Sequence, residues 1–205
     1  MTSNVCLAFT GASGLQYGLR TLQCLLAAGC RVSLLYSQVA QVVARQELDF
    51  TLPSRAADAQ ALLAAQYGAA PGQLAVYGRD EWFAPVASGS NPPDAMLICP
   101  CSMGTLAAVA QGLADSLITR AADVVLKEGR KLVLVPRETP LSVIQLENML
   151  RLARAGAVIL PAVPGFYHRP QSVGEVVDFV VARVLDQIRV EHQLMPRWGA
   201  NSHGA

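Results

Sequence analysis

The segment Thr10-Gly11-Ala12-Ser13-Gly14 decides how this chain folds. It follows an apolar run with strand character, residues 5–9, and opens a stretch with helical periodicity. A turn of small residues between a buried strand and a helix lets backbone N–H groups approach an anion closely. The helix N-terminus adds partial positive charge at the same point. The Ser13 hydroxyl either caps the helix or donates to a phosphate oxygen. The turn is a candidate cradle for a nucleotide phosphate.

Outward from this turn, strand patterns at 5–9, 31–36, 95–99, 131–136 and 157–161 alternate with helical patterns at 15–28, 38–45, 102–111, 116–127, 141–155 and 172–189. The strands are apolar and rich in β-branched residues, as expected where helices cover both sheet faces. Such alternation implies right-handed parallel crossovers and a three-layer αβα doubly wound sheet. Between about 50 and 94 the pattern loosens to one helical run (56–66), a short strand (73–77) and a Ser-Gly-Ser-Asn-Pro-Pro turn. In doubly wound sheets ligands sit beyond the carboxyl ends of the strands. Those ends carry Thr10 to Ser13, Ser37, Cys101 to Thr105, Pro136-Arg137-Glu138 and the loop from Pro161 to Arg169. The polar and conformationally special residues collect on one edge.

With 205 residues, 52% of them hydrophobic and only 15% charged, the chain has few charges to cover a monomer's surface, which predicts a homo-oligomer. A net charge of +1 gives no electrostatic footprint for nucleic acid or an acidic membrane. The chain enters its first strand directly, without a signal-peptide pattern. Its longest uncharged stretch, 95–114, is broken by Pro100, Gly104 and Gly112, so it reads as strand-turn-helix and not as a membrane span. Five cysteines in mostly apolar patterns predict free buried thiols in a reducing cytoplasm. Cys99-Pro100-Cys101 offers at most two ligands with no neighbour to complete a zinc set, so no metal is expected.

A dinucleotide site calls for G-x-G-x-x-G and an acidic residue closing the second strand. Here the turn is shorter and the second strand closes in Tyr36-Ser37-Gln38. No G-x-x-x-x-G-K-[ST] loop is present either. Two small-residue turns remain, Gly11–Gly14 and Ser102–Thr105, each between a strand and a helix. One can hold a mononucleotide phosphate while the other contacts a planar ring through backbone groups. Alternatively, Ser102 and Thr105 only cap a helix.

Several further motifs stand in order along the chain: Cys99-Pro100-Cys101-Ser102-Met103-Gly104-Thr105-Leu106, Arg120-Ala121-Ala122-Asp123, Val135-Pro136-Arg137-Glu138-Thr139-Pro140, Leu146-Glu147-Asn148-Met149 and Pro164-Gly165-Phe166-Tyr167-His168. Together with the first turn they resemble the UbiX family of flavin prenyltransferases, formerly described as aromatic acid decarboxylases. The resemblance runs from about Val5 to Trp198. It implies a flavodoxin-like domain over 1–189, elaborated at about 50–94, with a tail over 190–205. It also implies metal-independent joining of the dimethylallyl group of dimethylallyl monophosphate to reduced FMN, giving prenylated FMN for UbiD-type decarboxylases, as in ubiquinone biosynthesis. Assembly is expected to be a cytoplasmic homododecamer. By the same resemblance Gly11, Ala12, Ser13, Ser37, Ser102, Met103, Gly104, Thr105 and Arg137 contact FMN. Tyr167 and Arg183 contact the prenyl phosphate, with Lys127, Arg120 and Arg137 near it. Glu47 and Glu138 carry over as proton-transfer groups, Ser13 as a further catalytic residue and Trp82 as an aromatic wall.

The residue chemistry suits that reaction. Breaking an allylic carbon–phosphate bond spreads positive charge over the allyl group while phosphate leaves as an anion. Without a metal, cationic side chains must stabilise that anion. Arg137, Arg183, Lys127 and the Tyr167 hydroxyl offer the charge and a donor, and arginine grips phosphate with two N–H groups. The face of Trp82 can stabilise the allyl cation, and closing the new ring needs a positioned carboxylate. Plainer roles stand beside these. Arg183 on a helix edge can snorkel to solvent, Lys127 can complement a helix dipole, and Arg137-Glu138 can be a surface pair. Trp82-Phe83 can pin a loop, His168 can fill one, and Trp198 suits docking on a neighbouring subunit. Two other functions compete: an FMN-dependent cysteine-type decarboxylase, and a non-catalytic flavin-binding or carrier protein. The first would carry Pro-x-Met-Asn-x-x-Met-Trp and a histidine near the first helix, and neither is present. A carrier needs no Arg, Lys and Tyr set for a second phosphate.

Overall fold

Six parallel strands form one sheet in the order β3-β2-β1-β4-β5-β6 in the computed structural model, which describes residues 3–196. They are β1 (Asn4–Phe9), β2 (Arg31–Tyr36), β3 (Leu74–Tyr77), β4 (Ala95–Cys101), β5 (Lys131–Pro136) and β6 (Val158–Ile159). The helices are α1 (Leu15–Ala27), α2 (Gln38–Glu47), α3 (Ala56–Tyr67), α4 (Met103–Ala110), α5 (Leu117–Lys127), α6 (Val143–Arg154) and α7 (Val173–Gln187). In register, Leu7 of β1 lies between Leu34 of β2 and Leu97 of β4. The chain leaves β1 toward one edge and returns at β4 toward the other, so a crevice opens between their carboxyl ends.

The side-chain period of two divides the core. Leu7 and Phe9 face a cluster that includes Leu22 of α1, Leu63 of α3 and Val181 of α7. Cys6 and Ala8 face the opposite cluster, with Leu106 of α4, Leu117 of α5 and Leu152 of α6. The helix α1 comes unusually close to the sheet at Gly18, where a Cβ would run into the Cys99 carbonyl and lie 2.7 Å from the Phe9 ring. Arg20 locks α1 to α7 by donating from Nε (2.7 Å) and Nη2 (3.0 Å) to the two oxygens of Asp178.

Four of the expected helices begin one or two residues late for a common reason. Ser102, Ser116, Ser142 and Ser172 stand outside the helix as N-caps, each accepting a hydrogen bond from the backbone three residues on. The last helix stops at Gln187 because Arg189 takes φ 57°, which helical backbone does not allow. The expected strand 157–161 shortens to Val158–Ile159 on the sheet edge, although Leu160 N and Ala162 N still donate to the Leu134 and Pro136 carbonyls of β5. The loosely patterned segment supplies α3 and the edge strand β3, with a 3-10 turn at Pro85–Ala87 that the periodicity did not predict. Among the described residues no helix is long and apolar enough to cross a membrane. Trp198 lies outside the described residues.

Candidate active site

Buried Thr10 joins the two small-residue turns. Its Oγ1 donates to the Pro100 carbonyl (2.8 Å) and accepts from the Ser102 N–H (2.7 Å), binding the end of β1 to the end of β4. Gly14 is the N-cap of α1 at φ 100°, a left-handed conformation that glycine adopts without Cβ strain. Ser13 therefore does not cap the helix. Among the described residues, the backbone N–H groups of Gly11, Ala12 and Ser13 meet no protein acceptor. Ser102 does cap α4, accepting from Thr105 N at 3.3 Å with its hydroxyl 3.0 Å from Thr105 Oγ1. That cap leaves Met103 N and Gly104 N without a protein acceptor among the described residues, and a Cβ at Gly104 would meet nothing within 4 Å. Capping and ligand contact are thus compatible roles for this turn.

Around the turns stand the other residues of this edge. Ser37 caps α2, accepting from Ala40 N at 3.1 Å, and lines a cavity of about 220 Å³ with Gly104, Thr105, Leu35, Tyr77 and Leu117. Arg137, directly after β5, reaches back to donate from Nε to the Ser13 carbonyl at 3.3 Å. Glu47 ends α2 with Oε2 accepting from Gly14 N at 2.8 Å. Glu138 is exposed, its Oε1 accepting from Thr139 N at 3.0 Å. Trp82 follows β3, 44% exposed, beside a fully exposed Phe83.

A second group lies elsewhere. Tyr167 and Arg183 share a cavity of about 620 Å³ with Asp186, Arg189, Glu191 and His192. None of the residues lining it lines the Ser37–Gly104 cavity. Arg183 stands eleven residues beyond the Ser172 cap, about 16 Å down α7. Arg189, Val190 and Glu191 continue into a groove with Ser3 and Cys30, at the amino ends of β1 and β2. His168 stacks on Phe179 (5.4 Å, 9°), and Tyr167 stands edge-on to both rings. His168 Nδ1 is buried with no hydrogen-bond partner among the described residues, and its ring packs as an aromatic filler.

Lys127 and Arg120 join neither group within the chain. Lys127 closes α5 at the amino end of β5, where its Nζ lies 2.6 Å from Glu128 Oε1. Arg120 donates to the Ala87 carbonyl and to Asp123, both at 3.0 Å. Asp186, which no sequence motif singles out, accepts from Arg183 Nη1 at 2.7 Å. A carboxylate one helical turn after an arginine was its only signal. All five cysteines are free, and burial pushes the Cys6 and Cys99 thiols up to about 12, which leaves them poor nucleophiles.

These residues fit a flavin mononucleotide. Unpaired N–H groups at the start of α1 suit its phosphate, and an open Gly104 beside apolar cavity walls suits the edge of a planar ring. Residues 1–185 match the flavoprotein family. The flavin prenyltransferase UbiX of Pseudomonas aeruginosa is 57% identical over 195 residues, covering 95% of this chain and 93% of that protein. The flavin prenyltransferase UbiX of Halalkalibacterium halodurans is 46% identical, covering 93% and 90%. Among solved structures, AnUbiX (PadA1) in complex with FMN and dimethylallyl pyrophosphate superposes with TM-score 0.86 at 38% identity, over 98% of this chain and 99% of that one. A dodecameric FMN-dependent UbiX-like decarboxylase from Escherichia coli O157:H7 gives 0.84 at 42%, over 96% and 100%. A PPC decarboxylase mutant, at 17% identity and TM-score 0.60 over 93% and 100%, shares the fold alone. By its motifs, its site geometry and these relatives, the chain belongs to the flavoprotein family and, within it, to the UbiX flavin prenyltransferases.

Proposed function

We propose that this protein transfers the dimethylallyl group of dimethylallyl monophosphate to reduced FMN. The observation that carries the reading is the pair of turns tied by Thr10, with unpaired N–H groups at the starts of α1 and α4. Gly11, Ala12 and Ser13 hold the flavin phosphate, Arg137 adds charge beside them, and Ser37 with Ser102 to Thr105 contacts the ring system. Reduced flavin supplies the nucleophilic nitrogen and the neighbouring ring carbon. Arg183 and Tyr167 bind the prenyl phosphate and stabilise it as it leaves. Glu47 and Glu138 handle the protons, and Trp82 faces the allyl cation.

Because Arg183 and Lys127 stand away from the flavin edge of their own chain, the reading requires a second copy to bring them, with Arg120, to the prenyl phosphate. The exposed apolar side chains of α6 (Val143, Ile144, Leu146 and Leu150) support assembly, as does the dodecameric relative. The assembly we infer is a cytoplasmic dodecamer whose tail, 190–205, follows a flavin-binding unit of 1–189. Its product passes to a UbiD-type decarboxylase. Mass analysis of the flavin released after incubation of the protein with reduced FMN and dimethylallyl monophosphate tests the activity. A flavin heavier by one prenyl unit is expected, and unmodified FMN under full reduction overturns the reading.

A further inference from the structure

Arg183 does not stand alone in its cavity. Asp186 Oδ2 accepts from Arg183 Nη1 at 2.7 Å, while Asp186 Oδ1 faces His192 Nε2 at 3.4 Å. Leu194 N donates to His192 Nδ1, also at 3.4 Å, so in the neutral ring the proton sits on Nε2 and points at Asp186. The His192 side chain is only 12% exposed, whereas that of Arg183 is 53% exposed. A largely covered ring on the segment after α7 thus braces a carboxylate that in turn holds a half-exposed arginine. Among the described residues, Arg183 Nε and Nη2 have no protein acceptor. Those two nitrogens form the side-on fork that grips phosphate bidentately.

We propose that His192 is a positioning residue for the prenyl substrate, acting through Asp186 to set the Arg183 fork toward the phosphate. The inference rests on the assignment of Arg183 to the prenyl phosphate. An unbraced, half-exposed arginine gives up rotamer freedom each time it binds an anion, whereas a braced one has already lost that freedom on folding. The bracing therefore lowers KM for the prenyl phosphate and leaves flavin affinity and kcat nearly unchanged.

Two variants separate bracing from bulk. His192→Leu keeps an apolar side chain of moderate size without a donor, and His192→Gln keeps an N–H near the Nε2 position. Steady-state kinetics should show KM for dimethylallyl monophosphate raised on the order of tenfold in His192→Leu and restored toward wild type in His192→Gln. On an Arg183→Ala background, which itself raises KM, His192→Leu should add nothing. An unchanged KM in His192→Leu, equal loss in both His192 variants, or a full further rise on the Arg183→Ala background overturns the bracing while Arg183 keeps its role. A wild-type KM in Arg183→Ala removes the phosphate assignment itself, and the bracing with it.

Discussion

The carboxylate of Glu47 accepts a hydrogen bond from the backbone N–H of Gly14 at 2.8 Å, so an acidic side chain sits in the turn whose other N–H groups meet no protein acceptor among the described residues. The contact bridges 33 residues, tying the end of α2 to the start of α1. It places a negative charge close to the expected flavin phosphate while leaving the cradle itself clear.

Glu47→Gln keeps an acceptor for Gly14 and removes the charge. Less repulsion at the phosphate should leave FMN affinity equal or tighter in a fluorescence titration. Prenyl transfer should slow by about a hundredfold or more if the carboxylate moves a proton. Weaker FMN binding with normal turnover would make Glu47 a binding residue instead.

Gly18 sets how closely α1 approaches the sheet. In Gly18→Ala the added methyl meets the Cys99 carbonyl, which is fixed backbone, and the Phe9 ring. Such overpacking should cost about 1–3 kcal/mol, read as a lower urea midpoint with an unchanged slope. Because Cys99 leads into the Ser102 turn, flavin binding should weaken with it. A variant as stable as wild type would mean that α1 can slide outward freely.

Most of the fold was legible because each strand is a short apolar run and five of the helices are announced by a serine cap. The element that periodicity missed, the turn at Pro85–Ala87, holds three residues and has no period to detect. The edge that brings the two small-residue turns together was legible for a similar reason, since strand ends and small-residue turns are local in sequence. The separation of Arg183 from that edge was not. It depends on how far down α7 the arginine stands and on which edge the helix runs toward, and both are properties of the assembled sheet. The Asp186–His192 contact was hidden because the chain reverses after Arg189, whose φ of 57° turns the segment back along α7.

Burial raises the Cys6 and Cys99 thiols to about 12 from a reference value of 9.0, and it raises Cys101 as well. Their folded pKa values lie above the unfolded value, so the contribution of the neutral thiols is complete below about pH 9. It is lost as pH rises from there toward 12, because only the unfolded chain ionises. Urea unfolding should show stability falling on the order of 1 kcal/mol per thiol for each pH unit above 9. A flat profile between pH 8 and 10.5 would contradict the burial of these side chains.

Glu138 follows the buried end of β5 and stands beside Arg137, which reaches across to Ser13 in the candidate phosphate turn. Its own carboxylate is exposed and makes one local contact, to Thr139 N, so the fold does not depend on it. Glu138→Gln should therefore fold, assemble and bind FMN as the wild type does. If the carboxylate delivers or removes the proton needed for ring closure, the variant should prenylate FMN about a hundredfold to ten-thousandfold more slowly. A singly attached, unclosed product detected by mass and absorbance would place Glu138 at the closing step. Slowed loss of dimethylallyl monophosphate would place it at the first bond. Wild-type turnover in Glu138→Gln would remove Glu138 from the reaction and leave Glu47 as the carboxylate nearest the cradle.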